Sequence, residues 1–154
     1  MSTIEYRTFE GPPGDELVAS IVTMSEELFG PGSNAAELRA SLQGKQQIYA
    51  CLAFQEGRPV GYKLGYMQRA HYFESWRGGV LPSARRKGIA GELQRMQHKW
   101  CKAQGFRILT TITDGHNAPM LILNLQHGFA IVGTVFDRGQ HLKVVLQKRL
   151  DADG

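Results

Sequence analysis

The 154-residue chain is poor in cysteine, with only Cys51 and Cys101, and it holds neither a C-x-x-C pair nor an H-E-x-x-H run. Neither a disulfide framework nor a metal centre is signalled, and two inert, buried thiols are expected. His71, His116, His127 and His141 share no metal spacing and read as surface or hydrogen-bonded residues. No apolar stretch approaches the roughly 18 residues of a membrane-spanning helix. The first ten residues carry Glu5, Arg7 and Glu10 and lack the apolar centre of a secretion signal, so a cytoplasmic location is expected. The dinucleotide fingerprint after a first strand and the Walker phosphate loop are also missing. Charge is close to balanced: 18 basic less 14 acidic residues leaves +4, with no basic stripe interleaved with aromatics. That excess suits an anionic ligand and is too small to announce nucleic acid.

What is present is an ordinary globular composition, 42% hydrophobic and 21% charged, enough for one domain over residues 1–154 with its own core. Thr3–Phe9 alternates weakly as a first strand, closed by Gly11-Pro12-Pro13-Gly14. Asp15 stands at an N-cap position before helical spacing through Leu28, and Ser33 or Asn34 starts a shorter helix through Leu42. Ile48–Phe54 and Val60–Met67 form a hairpin across Glu56-Gly57-Arg58-Pro59, and His71–Val80 is a third strand. A helix follows with an apolar stripe at Ile89, Leu93, Met96 and Trp100, closed by Gly105. Then come a strand over Phe106–Ile112, a helix over Ala118–Gln126 buried through Leu121-Ile122-Leu123, and a hairpin of Ile131–Phe136 with His141–Leu150. The order β-α-α-β-β-β-α-β-α-β-β implies an α/β fold, a central mixed sheet flanked by helices.

Chemistry concentrates in Val80–Gly91. The stretch follows a strand and opens a long helix, whose first N–H groups and dipole attract anions. Gly88 and Ala90 admit a phosphate close to the backbone, and Arg85, Arg86 and Lys87 add positive charge there. A diphosphate is the natural guest, against the plainer reading of a basic, solvated loop.

The run Arg85-Arg86-Lys87-Gly88-Ile89-Ala90 resembles the [QR]-x-x-G-x-[GA] acetyl-CoA loop of the GNAT N-acetyltransferase superfamily. Its surroundings match too: Val80-Leu81-Pro82 upstream, Gly105 ending the helix, Asn117 after the next strand, and Gly128-Phe129 before the last hairpin. The resemblance covers about residues 3–150 and implies an acetyl-CoA-dependent N-acetyltransferase. It implies that the amides of Arg86, Lys87, Gly88, Ile89, Ala90 and Gly91 cradle the pyrophosphate. It also implies that Val80 holds the pantetheine arm through its backbone, its N–H aimed at the thioester carbonyl, with Asn117 opposite. Gly78-Gly79 reads either as a bulge beside the cofactor or as a plain strand end.

Acetyl transfer needs the amine neutral, hence a base. Glu74 lies six residues before Val80, an even spacing that puts both on one parity of the strand. The histone-type members of the family place their base similarly, so Glu74 is the expected base, with a solvated strand-end carboxylate as the alternative. Trp76 beside it is a candidate wall of the acceptor pocket. Many relatives place a proton-donating Tyr four residues before Gly-Phe, and here that position is Asn124, whose amide can only hydrogen-bond the sulfur. Tyr66, Tyr72 and His116 are left as other donors, without a choice among them. The acceptor is expected to be a small-molecule amine, for which Glu26, Glu27, Glu37 and Glu56 offer negative charge. An acyl-CoA sensor without robust catalysis is the alternative. A homodimer through the C-terminal strands, frequent in the family, stands beside a monomer whose edge Lys148-Arg149 protects.

Overall fold

Turn chemistry sets the strand register. Glu56 and Gly57 both adopt positive φ, 53° and 76°, the geometry of a tight two-residue hairpin, and they join β2 (Gln46–Gln55) to β3 (Arg58–Arg69). The computed structural model describes residues 3–150. Before the hairpin come β1 (Ile4–Glu10), α1 (Asp15–Phe29) and α2 (Ala35–Leu42); after it come β4 (Tyr72–Val80), a short 3-10 turn over Pro82–Ala84 and α3 (Ile89–Ala103). The chain finishes with β5 (Ile108–Asp114), α4 (Ala118–Gln126), β6 (Ala130–Phe136) and β7 (Leu142–Arg149). The α/β order read from the sequence is the order observed.

The strands form one sheet in the order β1-β2-β3-β4-β5-β7-β6. All neighbours run antiparallel except β4 and β5, which are parallel. One face carries α1: the Ser25 and Tyr62 hydroxyls lie 3.4 Å apart, and a Cβ on Gly79 would sit 2.7 Å from Leu28. The other carries α3: the Tyr49 ring stacks on Trp100 with centroids 4.3 Å apart, and the Cys51 thiol reaches the Leu93 carbonyl. Both thiols are free and buried, and burial pushes Cys51 up to about 12.

Several local expectations change. Asp15 is the first residue of α1 rather than its cap; Gly14 caps the helix, and the Asp15 carboxylate turns to Arg39 of α2. Asn34, not Ser33, caps α2 by accepting from Glu37 N at 2.7 Å. In α3 the buried face is rotated from the apolar stripe: Ile89 and Leu93 are joined by Gln94, Gln97, His98 and Cys101, while Met96 and Trp100 are only half-buried. In α4 the buried residue is Asn124; Ile122 is exposed and Leu121 and Leu123 are half-buried. The bulge also lies elsewhere. Gly78 and Gly79 pair regularly with Lys63 and Tyr62, whereas the register skips Trp76, between Ser75–Gly65 and Arg77–Leu64. One extra residue flips the parity beyond it. Glu74 pairs with Tyr66 on the α1 face and Val80 pairs with Gly61 on the α3 face, so the two are not on one parity as expected.

Candidate active site

A cleft opens where β4 and β5 part. They pair only at Tyr72–Ile108, Phe73–Leu109 and Glu74–Thr110. The last link is side chain to backbone, the Thr111 hydroxyl donating to the Ser75 carbonyl at 2.9 Å. Beyond it β5 stays bound to β7 as far as Asp114, and β4 runs on to Val80 with no β5 partner. Divergence of two parallel strands bares backbone groups that a ligand can take up.

The wide end of the cleft meets the start of α3. Gly88 occupies the N-cap in the left-handed conformation, φ 76°, and no side chain caps the helix. The first-turn N–H groups therefore remain free for an anion. A Cβ on Gly88 would meet no protein atom within 4 Å, so the space above the loop is open. Arg86 is also held at positive φ, 64°, and Arg85, Arg86 and Lys87 are exposed around the loop. Arg85 Nε donates to the Val80 carbonyl at 3.1 Å, and Lys87 Nζ donates to Gln55 Oε1 at 3.3 Å. Ile89 is buried, whereas Ala90 and Gly91 are half-buried with Gly91 turned toward His127. Uncapped amides, open space and surrounding cations fit a pyrophosphate.

On the α1 face Glu74 is half-buried opposite Tyr66, whose phenol hydrogen-bonds the carboxylate. Burial first, then the Glu74 charge and bond, drive the Tyr66 pKa far upward, so this phenol keeps its proton. Trp76 tilts against Tyr66 and lies under Arg77, 4.3 Å from guanidinium carbon to ring centre. Arg77 lines a cavity of about 90 Å³ with Ser25, Ser33, Asn34 and Glu37. Of the four glutamates considered for the acceptor, Glu37 is the one in this lining; Glu26 and Glu27 are exposed on α1 and Glu56 lies in the β2–β3 turn.

Asn117 caps α4, its side chain accepting from Met120 N at 3.2 Å, and lines an open hollow with His116 and Asp114 at the end of β5. Asn124 is held on both sides. Its oxygen accepts from Gln94 Nε2 at 2.7 Å and its Nδ2 donates to Thr113 at 3.2 Å. Around it lies a polar wall that the apolar stripe gave no hint of: Gln94, Gln97 and His98 are buried and four of their polar atoms have no partner. Burial and the neighbouring Lys148 and Lys63 charges lower His98 to about 3. Lys63 of β3 belongs to the same wall. Its one sequence signal is a charge interrupting the apolar run Val60–Met67.

The family model described as "Acetyltransferase (GNAT) family" matches residues 18–129, a span that includes Glu74, the Gly88 loop and Asn124. The chain belongs to the GNAT acetyltransferase family. It is an enzyme of that class, an acetyltransferase. The fold of this GNAT chain is similar to that of the ribosomal-protein-S18-alanine N-acetyltransferase from Escherichia coli, with a TM-score of 0.79 at 13% identity over 96% of this chain and 97% of that one. An aminoglycoside 6'-N-acetyltransferase complexed with coenzyme A superposes with a TM-score of 0.78 at 15% identity, covering 96% and 99%. An N-acetyltransferase from Staphylococcus aureus Mu50 gives 0.72 at 18% identity, covering 94% and 99%. At these identities the likeness is one of fold. No protein of curated function matches the chain in sequence. Among the described residues no helix is long and apolar enough to cross a membrane, and no three His, Cys, Asp or Glu gather as metal ligands.

Proposed function

We propose that this GNAT enzyme transfers an acetyl group from acetyl-CoA to the amine of a small molecule by direct attack in a ternary complex. The observation that carries the reading is the β4/β5 cleft, which ends at an uncapped helix N-terminus on one side and has a half-buried glutamate at its fork. Arg85 to Gly91 hold the pyrophosphate, Val80 and Asn117 line the pantetheine path, and Glu74 takes the proton of the attacking amine, directly or through water. The small cavity beside Arg77 and Glu37 supports a compact acceptor rather than a protein chain. A cytoplasmic setting goes with this reading.

The acyl-CoA sensor is favoured by one observation, the commitment of the Asn124 amide to Gln94 and Thr113. Calorimetric titration of acetyl-CoA, followed by a panel of amines, separates the two. Binding with heat of turnover on one amine class supports the enzyme; binding alone supports the sensor; absence of binding overturns both.

The same proposal includes a homodimer. β6 is an edge strand whose Ile131, Val132, Val135 and Phe136 are all exposed, a surface that a second copy would cover. Sedimentation velocity of the native chain and of Val135→Lys tests it: a dimer that the lysine dissociates supports the assignment, and a native monomer removes it.

A further inference from the structure

Lys63 sits at the middle of the sheet with no carboxylate partner among the described residues. Its neighbours on the α3 face of β3 are Gly61 and Gly65, and its cross-strand partner is Gly78. A Cβ on Gly78 would lie 3.1 Å from Lys63 Cγ, so the lysine stem crosses bare β4 backbone. The Nζ then donates to Ser75 Oγ at 3.2 Å. Ser75 is the first residue of β4 beyond the last β5 pair, and Thr111 holds its carbonyl. The lysine ammonium is thereby delivered to the fork of the cleft.

The other donors that the sequence offered are engaged or distant. Asn124 has no dissociable proton at neutral pH. Tyr66 is on the α1 face, bonded to Glu74. Tyr72 lies at the closed end of the β4/β5 pairing under Arg69, and His116 is exposed at the end of β5.

We propose that Lys63 is the acid that protonates the departing thiolate, an assignment that rests on the acetyl-CoA reading above. The amine nitrogen forms the N–C bond and its proton passes to Glu74. The C–S electron pair leaves on sulfur, which takes a proton from the Lys63 ammonium. Free thiol and neutral lysine result, and solvent returns the proton to the lysine.

The surroundings suit that exchange. Facing Lys63 are the Cys51 thiol from β2, His98 from α3 and His127 after α4, and the Lys148 charge of β7 acts on the same two histidines. Glu92 of α3, whose charge acts on Cys51, is paired with Arg95 at 3.0 Å. Desolvation lowers Lys63 to about 8, close to a free thiol at roughly 8.5.

The test compares Lys63→Met and Lys63→Arg with the native enzyme. With acetyl-CoA both variants bind the donor as the native chain does but lose about 10²-fold in kcat, the low end for general acids. With an aryl thioacetate, whose thiolate leaves unprotonated, the deficit shrinks to under about 10-fold on the same scale. The native kcat falls above about pH 8 as the ammonium is lost, and this alkaline limb is absent from Lys63→Arg. Arginine keeps the charge and the fold but cannot give up its proton, so a merely structural lysine would be rescued by it. Independently of turnover, the Lys63 side-chain NMR signal, assigned by its loss in Lys63→Arg, titrates near 8 in the protein alone. Full kcat in Lys63→Arg, or a midpoint at the ordinary lysine value of about 10.4, overturns the proposal. A native chain that neither binds acetyl-CoA nor acetylates any amine overturns the underlying reading as well.

Discussion

Tyr66 and Glu74 are cross-strand partners, and the phenol donates a hydrogen bond to the carboxylate at the fork of the cleft. This fixes the orientation of the candidate base before any acceptor arrives. The close approach of the strands beside them depends on Gly65, where a Cβ would fall 2.2 Å from the Glu74 carbonyl.

Glu74→Gln is expected to lower kcat by about 10²-fold or more, the usual worth of a general base, while calorimetry finds acetyl-CoA affinity unchanged. Tyr66→Phe frees the carboxylate to rotate and is expected to cost about 10-fold in kcat/KM, an interaction of roughly 1.4 kcal/mol. Native turnover in Glu74→Gln from pH 6 to 9 would remove Glu74 from the mechanism.

Gly88→Val places a β-branched residue in the left-handed conformation at the start of α3, at a cost of about 1–2 kcal/mol, and pushes a side chain into the open space over the helix amides. Acetyl-CoA affinity is expected to drop by more than about 10-fold, at least roughly 1.4 kcal/mol, because the side chain occupies the space over the amides, while the strain shows in the stability of the free protein. Thermal melting of the free protein checks that the fold survives. An unchanged dissociation constant would move the pyrophosphate elsewhere.

His98 gives the fold an acid sensitivity. The Lys148 ammonium donates to its Nδ1 at 3.0 Å, so the ring is held neutral, and its folded value of about 3 lies below the unfolded 6.5. Above pH 6.5 the ring is neutral in both states. As pH falls from 6.5 toward 3, the unfolded chain takes up a proton that the folded one refuses, and stability is lost at about 1.4 kcal/mol per unit. Between pH 6.5 and 5 this amounts to about 2 kcal/mol, which denaturant unfolding of His98→Gln should show as a smaller loss. Parallel stability curves for the two proteins would contradict it.

Much of this protein was legible residue by residue. The Gly88 loop, the Gly57 turn, the glycine ending α3 and the Gly128-Phe129 step declare themselves because backbone conformations open to glycine, and periodicities of 2 and 3.6, are local properties. With them came the element order and the Gly88 loop as a candidate anion site. Tertiary structure alone decided where β4 leaves β5, that the bulge falls at Trp76 rather than at Gly78-Gly79, and that Glu74 and Val80 serve opposite faces. It also decided that α3 buries Gln94, Gln97 and His98 in place of Met96 and Trp100, and that Lys63 lies over Gly78. A polar side chain is buried when partners distant in the chain are there to meet it, as Asn124 meets Gln94 and Lys148 meets His98. Register and partnership of that kind belong to the sheet as a whole, and no window of the sequence contains them.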